Sequence, residues 1–286
     1  MKKYIGIALA VVVSLFVMAM IIRGSDEQDN MQCVEEKEGG LEIPLFISSS
    51  EERPCNNGHI AEQIIEHKGY TVSYNSITLN PNWVAYELTV DETDGPWSRK
   101  GLRFMPDPDC KNKQADNEDY RNSGYSRGHM APAGDMKWDS IAMVESFYFT
   151  NCIPQDAAFN NGKWNQLEEK TRRWAKQYGK IHIVCGPIYQ NVEVKRIGQN
   201  GVVVPDACYK ALLIPLSNGV FSAIAFVMRN GGEERRVEEC ACTVDELENL
   251  IGLDLFYGLD DVLEKEVEAV VKWGDWGLAK PKIKQD

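Results

Sequence analysis

Residues 125–135 read YSRGHMAPAGD and place a histidine among small and turn-forming residues. His129 follows Arg127 and Gly128 and precedes an Ala-Pro-Ala turn, which Asp135 closes. An isolated Arg-Gly-His triplet is weak evidence of a site, because a histidine in a turn is ordinarily exposed or hydrogen-bonded in the core. The sequence around it therefore decides whether His129 carries chemistry.

A second block lies downstream and leads into a helix. Residues 147–151 read FYFTN, an aromatic run that predicts a strand, and residues 163–178 have apolar side chains at helical spacing. Asn160 precedes this helix, where a role as helix cap is locally sufficient. Glu168 and Arg172 lie four residues apart at the edge of the apolar stripe. Their ordinary explanation is a surface ion pair worth about 0.2–0.5 kcal/mol.

Together, the two blocks resemble the DNA/RNA non-specific endonucleases, the sugar-non-specific nucleases of the ββα-metal type. Residues 125–135 look like the family's Asp-Arg-Gly-His signature with its Ala-Pro turn. Residues 151–168 are similar in order and spacing to its second block, and the resemblance extends over roughly residues 60–270. It implies the ββα-metal nuclease fold, an α+β domain with a mixed or antiparallel sheet core flanked by helices.

The resemblance also implies metal-dependent hydrolysis of phosphodiester bonds in DNA and RNA, without sequence specificity. His129 is expected to be the general base, because a neutral imidazole can take a proton from water. Asn160 is expected to bind a hydrated Mg²⁺ directly, with Mn²⁺ or another divalent cation as the alternative, and Glu168 to act on it through water. Guanidinium groups are expected to bind phosphate: those of Arg127, Arg172 and, from a stretch of ambiguous register, Arg99 or Arg103.

Three further residues are expected to support this site. Asn151 and Gln155 resemble family residues that hold the metal-binding loop, although ordinary turn hydrogen bonds explain both equally well. Ser126 stands where the family motif has aspartate, so one carboxylate near His129 is missing. This departure motivates an alternative function, a catalytically weak or inactive nucleic-acid-binding domain of the same fold, tethered to a membrane.

The remaining chain mixes strands and helices without strict βαβ alternation, which favours an α+β layered domain. A capping box of Thr243 and Glu246 predicts the start of one helix. Apolar runs predict strands at residues 70–74, 83–90, 180–184, 202–204, 210–215 and 221–228, and helical spacing predicts helices at 243–251 and 259–271.

The N-terminus predicts export. Residues 4–22 form an uninterrupted apolar run of 19 residues between Lys3 and Arg23, long enough to cross a bilayer as a helix. An uncleaved membrane anchor and a cleaved signal peptide are both open, and each predicts an extracytoplasmic domain. The predicted organisation is an anchor or signal peptide at 1–23, an acidic tether at 24–52 and a nuclease domain at 53–286.

Eight cysteines fit an exported protein, in which disulfides persist. Their pairing cannot be read from the sequence, and buried thiols are the alternative for residues in apolar runs, such as Cys152 and Cys185. The sequence has no C-x-x-C pair, which argues against structural zinc.

The formal net charge of −12 at first argues against a polyanionic partner, but the charge is unevenly distributed. Residues 24–52 hold nine acidic residues and one basic residue, and residues 231–286 hold fifteen acidic and seven basic residues. Residues 53–230, in contrast, hold twenty basic and nineteen acidic residues. The middle of the chain can therefore present a basic surface to nucleic acid.

Overall fold

The computed structural model describes residues 40–46, 62–190 and 193–281. Its strands, in chain order, are β1 (Leu45–Phe46), β2 (Gln63–Glu66), β3 (Thr71–Asn75), β4 (Asn80–Thr89), β5 (Tyr125–His129), β6 (Cys152–Asp156), β7 (Lys180–Ile188), β8 (Arg196–Ile197), β9 (Val202–Val203), β10 (Ala207–Pro215), β11 (Phe221–Arg229), β12 (Ala241–Cys242) and β13 (Leu253–Asp254). Its helices are α1 (Asn117–Tyr120), α2 (Ser140–Glu145), α3 (Ala157–Phe159), α4 (Asn165–Tyr178), α5 (Val244–Ile251) and α6 (Asp261–Glu268). A π-helical turn, Asn160–Trp164, joins α3 to α4.

Seven strands form one antiparallel sheet in the order β12-β11-β10-β7-β4-β3-β2. Successive side chains of a strand point to opposite faces, and β10 shows this clearly. Cys208 and Leu212 pack in the core that contains α4, which we call the α4 face. Tyr209 and Leu213 pack in the core that contains α5 and α6, the α5–α6 face. The sheet thus separates two helical layers.

The predicted α+β class with an antiparallel sheet core is confirmed. The long central strands β4, β7, β10 and β11 lie where apolar runs predicted them, with ends that differ by a few residues. The capping box is also present, because the Thr243 hydroxyl accepts a hydrogen bond from the Glu246 N–H and the Glu246 carboxylate accepts one from the Thr243 N–H.

The strand predicted at residues 147–151 is wrong. Phe149–Asn151 form a 3₁₀ turn instead, and the strand β6 begins only at Cys152. Phe147 and Phe149 are both buried, so the aromatic side chains of this run reflect burial in the core and not an extended backbone. Burial alone does not distinguish a strand from a tight turn.

Seven described residues lie inside the segment predicted to be an acidic tether. Among them, β1 pairs with β13, and Leu41, Ile43 and Phe46 pack against the core of the α5–α6 face. The predicted anchor or signal peptide at 1–23 and the remainder of the tether lie outside the described residues.

All six cysteines of the described residues are free thiols, so none of them forms the disulfides that an exported protein would favour: Cys110, Cys152, Cys185, Cys208, Cys240 and Cys242. Cys152 and Cys185 are fully buried, as the alternative for apolar runs predicted. Burial raises the pKa of the Cys152 thiol to about 12, which makes it inert as a nucleophile. Cys33 and Cys55 lie outside the described residues.

Candidate active site

The two-stranded ribbon of β5 and β6 positions His129. The strands pair antiparallel, with His129 opposite Cys152 and Gly128 opposite Ile153. A Cβ atom on Gly128 would lie 2.0 Å from the Oε1 atom of Gln155, so only glycine allows the buried Gln155 side chain to cross beneath the ribbon. Gly128 is therefore required by close packing, in the strand that carries the histidine.

Asn151 fixes the chain immediately after His129. Its Oδ1 accepts a hydrogen bond from the Ala131 N–H at 2.8 Å, and its Nδ2 donates to the carbonyls of Ala131 and Ser146, both at 2.9 Å. Its backbone carbonyl accepts from the Met130 N–H at 3.0 Å. Because Asn151 is fully buried, this set of bonds makes the turn after the histidine rigid.

The His129 ring is held between two aromatic side chains. Its centroid lies 4.7 Å from that of Phe104 and 4.9 Å from that of Phe147, the latter edge-on. Its Nε2 atom is buried and has no hydrogen-bond partner among the described residues. Burial lowers the pKa of His129 from 6.5 to about 3, and the charge of Arg99 acts in the same direction. The imidazole is therefore neutral at physiological pH.

Asn160 does not cap the start of a helix. The cap is Asp156, whose carboxylate accepts hydrogen bonds from the N–H groups of Ala158 and Phe159. Asn160 instead begins the π-helical turn one residue after α3 ends. Such turns interrupt the regular backbone bonds and recur at functional sites. The capping role that the sequence allowed for Asn160 is therefore filled by Asp156.

Arg172 pairs with Asp135 rather than with Glu168. Its Nη1 donates to Asp135 Oδ1 at 2.7 Å, while the Tyr86 hydroxyl donates to Oδ2 of the same carboxylate at 2.9 Å. The surface ion pair expected within the helix is therefore replaced by a part-buried ion pair from α4 to the turn after His129. Burial raises the pKa of Glu168 to about 7, and nearby Lys210 acts in the opposite direction.

One cavity of about 350 Å³ joins these elements. Six residues that the sequence singled out line it: Arg99, Arg127, His129, Asn160, Glu168 and Arg172. Pro132, Ala133, Gly134, Asn161 and Asn165 complete the wall. Two contacts fix the Arg127 guanidinium. Its Nη2 donates a hydrogen bond to the Asn117 carbonyl at 2.8 Å, and its Cζ lies 5.0 Å from the Tyr120 ring centroid.

Four predicted residues do not line the cavity. Arg103 lines a neighbouring groove with Phe104, Asn117 and Arg127, so of the two candidate arginines only Arg99 faces His129. Ser126 lies in β5 opposite Gln155. Gln155 and Asn151 are buried behind the ribbon, where they support it.

Two charged residues of this region were not singled out from the sequence. Asp135 is the last residue of the 125–135 stretch. Its carboxylate accepts hydrogen bonds from Tyr86 and Arg172 and so holds both side chains in place. Lys210 is fully buried in β10 on the α4 face, with its Nζ 5.1 Å from the Trp164 ring centroid and no hydrogen-bond partner in the described part of the chain. A lysine inside an apolar strand was the signal that could have identified it.

The cavity also contains the oxygen ligands that a hard divalent cation needs. Asn160 offers an amide oxygen, Glu168 offers a carboxylate, and both line the same cavity as His129. Magnesium binds through few protein oxygens and keeps several waters, and a cavity of about 350 Å³ has room for them. These residues fit a hydrated metal ion.

Comparison with known proteins agrees with this geometry. The family model described as DNA/RNA non-specific endonuclease matches residues 49–262. The mitochondrial nuclease EXOG of Xenopus laevis is 36% identical over 222 residues, covering 71% of this chain and 60% of that protein. Mitochondrial endonuclease G of Homo sapiens is 28% identical over 203 residues, covering 67% and 68%. A chain in the crystal structure of the EndoG/EndoGI complex matches with a TM-score of 0.67 and 28% identity, over 71% of this chain and 89% of that chain.

The chain belongs to the DNA/RNA non-specific endonuclease family, which confirms the resemblance read from the sequence. The matched regions span 57–68% of the length of the EXOG relatives.

The same comparison contradicts the predicted extracytoplasmic location and membrane partner. The matching EXOG and endonuclease G proteins are mitochondrial nucleases. In the part of the chain that the structure describes, no helix is both long and apolar enough to span a bilayer. Residues 4–22, which suggested export, lie outside that part. The prediction failed because an apolar run with basic flanks indicates affinity for a membrane but does not specify which membrane.

Proposed function

We propose that this chain is a divalent-metal-dependent endonuclease that hydrolyses phosphodiester bonds of DNA and RNA without base specificity, within a ββα-metal site built by β5, β6 and the helix that follows. The observation that carries the proposal is the convergence of His129, Asn160, Glu168 and three arginines on one cavity. The chain's membership of the DNA/RNA non-specific endonuclease family and its similarity to nucleases support the same reaction.

His129 is the proposed general base. Burial keeps the imidazole neutral, so an unprotonated ring nitrogen is available to take a proton from an attacking water. A group of pKa about 3 is a weak base, but a bound phosphate adds negative charge beside the ring. Negative charge favours the protonated imidazole and therefore raises its basicity when substrate is present. The base is thus activated by the substrate that it serves.

Asn160 is the proposed direct ligand of Mg²⁺, and Glu168 the proposed acceptor of hydrogen bonds from the waters of that ion. When bound, the metal supplies positive charge at the scissile phosphate and at the leaving oxygen. Mn²⁺ or another divalent cation could take the same place, because carboxylate, amide and water oxygens suit all of these ions.

Arg99, Arg127 and Arg172 are the proposed phosphate contacts. All three line the cavity, and guanidinium forks match the oxygens of a phosphodiester. Contacts that end on phosphate and metal carry no sequence information, which explains why either polymer could be cut. Asp135 orients Arg172, so it is a positioning residue rather than a substrate contact.

The missing motif carboxylate remains compatible with turnover. Ser126 lies behind the cavity wall and opposite Gln155. Its hydroxyl can hydrogen-bond the ribbon without contributing charge, so we propose that Ser126, Asn151 and Gln155 support the backbone. We also propose that the nuclease domain includes residues 40–46, which pack on its α5–α6 face, and that its location is mitochondrial, as for the named relatives.

The test is an assay of supercoiled plasmid DNA and of single-stranded RNA with Mg²⁺, with thermal melts as a folding check. Wild type should degrade both polymers, and Arg172→Met should lose activity, whereas the matched control Arg173→Met, on the exposed side of α4, should not. Binding measured by fluorescence anisotropy separates the alternative function. Wild-type protein that binds both polymers but cuts neither with Mg²⁺ or Mn²⁺ would be a binding domain, and the enzymatic proposal would be abandoned.

A further inference from the structure

Three carboxylates converge on the α5–α6 face, far from the ribbon in the fold because the sheet separates the two layers. Asp245 and Glu248 lie three residues apart on α5, and Glu268 ends α6. One ligand oxygen of each lies within 4.8 Å of those of the other two. An acidic cluster alone would carry little meaning, since such clusters are common on protein surfaces.

Glu268 is what distinguishes this cluster. Its side chain is 3% exposed, and its Oε1 has no hydrogen-bond partner among the described residues. A buried carboxylate without a partner loses hydration without compensation, and natural structures rarely tolerate that. A carboxylate oxygen of Glu268 lies within 4.8 Å of one oxygen from Asp245 and one from Glu248, so the missing partner is expected among these groups.

The surroundings of Glu268 are anionic. Burial raises the pKa of its carboxyl to about 10, and four neighbouring carboxyl groups act in the same direction: Glu248, Glu264, Asp245 and Asp254. Burial likewise raises the pKa of Glu248 to about 7. Glu248 Oε1 accepts a hydrogen bond from the Leu255 N–H, at 2.6 Å, which fixes the position of this carboxylate. A multivalent cation would relieve the repulsion among these groups.

We propose that Asp245, Glu248 and Glu268 form a structural calcium site that joins α5 to α6. Calcium binds six to eight oxygens at about 2.3–2.6 Å, so two of its ligands can be up to about 5 Å apart. The separations within the cluster satisfy that limit. Magnesium requires shorter bonds in a strict octahedron, and zinc prefers nitrogen or sulfur ligands, which this cluster does not offer. The ion's role is to stabilise the two helices against the sheet.

The second group with metal-ligand spacing shows the contrast. It consists of His67, Asp107 and Asp109. Asp107 Oδ2 already accepts a hydrogen bond from Thr150 at 2.6 Å and lies 3.0 Å from His67 Nε2. Its Oδ1 accepts one from the Asp109 N–H. These bonds compensate the buried carboxylate, and the group therefore needs no cation.

The experiment measures the melting temperature and the number of calcium ions bound by the full chain, with CaCl₂ alone and with EDTA. Saturating calcium, at about 100 times its Kd, should raise the melting temperature of wild type by roughly 5–10 °C. Glu268→Gln and Asp245→Asn should each remove that rise and one bound ion. Glu266→Gln, an exposed neighbour on α6, is the matched control and should retain both. Asn160→Ala should also retain the rise, which separates this site from the proposed catalytic metal.

Several outcomes would overturn the proposal. If the wild-type melting temperature does not respond to millimolar calcium, Glu268 is a buried neutral acid and no cation site exists. If either variant is folded in EDTA and still shows the wild-type calcium response, the ion binds elsewhere. A larger rise with magnesium than with calcium would contradict the choice of ion. The nuclease proposal does not depend on any of these results.

Discussion

Charged side chains of different sign gather in one cluster on each face of the central sheet. On the α4 face, three arginines surround His129 in a single cavity. On the α5–α6 face, Asp245, Glu248 and Glu268 converge without a basic residue among them. The net charge of −12 describes neither face. The difference teaches that one sheet can keep the proposed site for polyanions and the proposed site for a cation in separate helical layers.

We expect nucleic acid to approach at the α4 face, where arginines line the cavity, rather than at the cluster of carboxylates on the α5–α6 face, because opposite charges attract. The predictions below test this comparison, from the largest expected effect to the smallest.

Removing the base on the α4 face should have the largest effect. His129→Ala should lower kcat on plasmid DNA by about 10²–10⁴-fold, because general-base catalysis contributes that much. The rate of nicking at saturating Mg²⁺ measures it, and a melting temperature close to wild type confirms folding. A residual rate within a few-fold of wild type would remove His129 from the mechanism.

Loss of the proposed metal ligand should appear in the magnesium dependence. Asn160→Ala should raise the Mg²⁺ concentration for half-maximal activity by at least about tenfold, since even indirect ligand contacts contribute that much to metal affinity. A magnesium titration of the initial rate measures the change. An unaltered half-maximal concentration, with a lower plateau, would place Asn160 in another role.

The two upstream arginines make a matched pair. Arg99→Met should lower kcat/KM by about 10–100-fold, the value of a hydrogen bond to a charged group, because Arg99 lines the cavity. Arg103→Met should lower it by no more than about fivefold, since Arg103 faces the neighbouring groove. Equal losses would mean that substrate spans both surfaces.

The pH dependence of stability should reveal the buried imidazole. The unfolded chain protonates His129 near pH 6.5, whereas the folded chain does so only near pH 3, because burial disfavours the charge. The contribution of His129 to stability is therefore lost progressively as the pH falls below 6.5. Between pH 7 and pH 5, the melting temperature of wild type should fall more than that of His129→Phe. Parallel curves would show that His129 is solvated.

The smallest effect concerns the α5–α6 face. Thr243→Ala removes the cap of α5 and should cost about 1 kcal/mol, or about 2–4 °C in melting temperature. Thr243→Ser keeps a hydroxyl acceptor and should restore most of the loss. Nuclease activity at low temperature should be the same for all three proteins. A drop in activity on loss of the cap would mean that the α4 face and the α5–α6 face are coupled.

Family resemblance accounts for most of what the sequence predicted of the site. The order of His129, Asn160 and Glu168 along the chain was enough to expect one shared cavity, and the structure places them in it. The register of Arg99 against Arg103 needed coordinates, because both arginines lie in a segment without regular periodicity. Asp135 could not be assigned either, since its partners Tyr86 and Arg172 come from distant elements.

Hydrophobic patterns in the sequence predicted the long central strands, but they did not predict that single charged side chains would be buried. Lys210 lies within an apolar strand and Glu268 at the end of an amphipathic helix. Whether such a charge is exposed depends on what packs against it, which is tertiary information. The turn at residues 149–151 was missed because it also depends on tertiary contacts. The Asn151 side chain bonds the N–H and the carbonyl of Ala131, backbone groups that a strand would have paired.

The contact between Gly128 and Gln155 limits how this ribbon can change over evolutionary time. Any Cβ at position 128 would overlap the amide of residue 155. A larger residue at position 128 therefore becomes acceptable only after position 155 has become smaller, and a reversion at 155 is then blocked. Substitutions at position 128 are therefore expected to be tolerated mainly in chains that already carry a smaller residue at position 155.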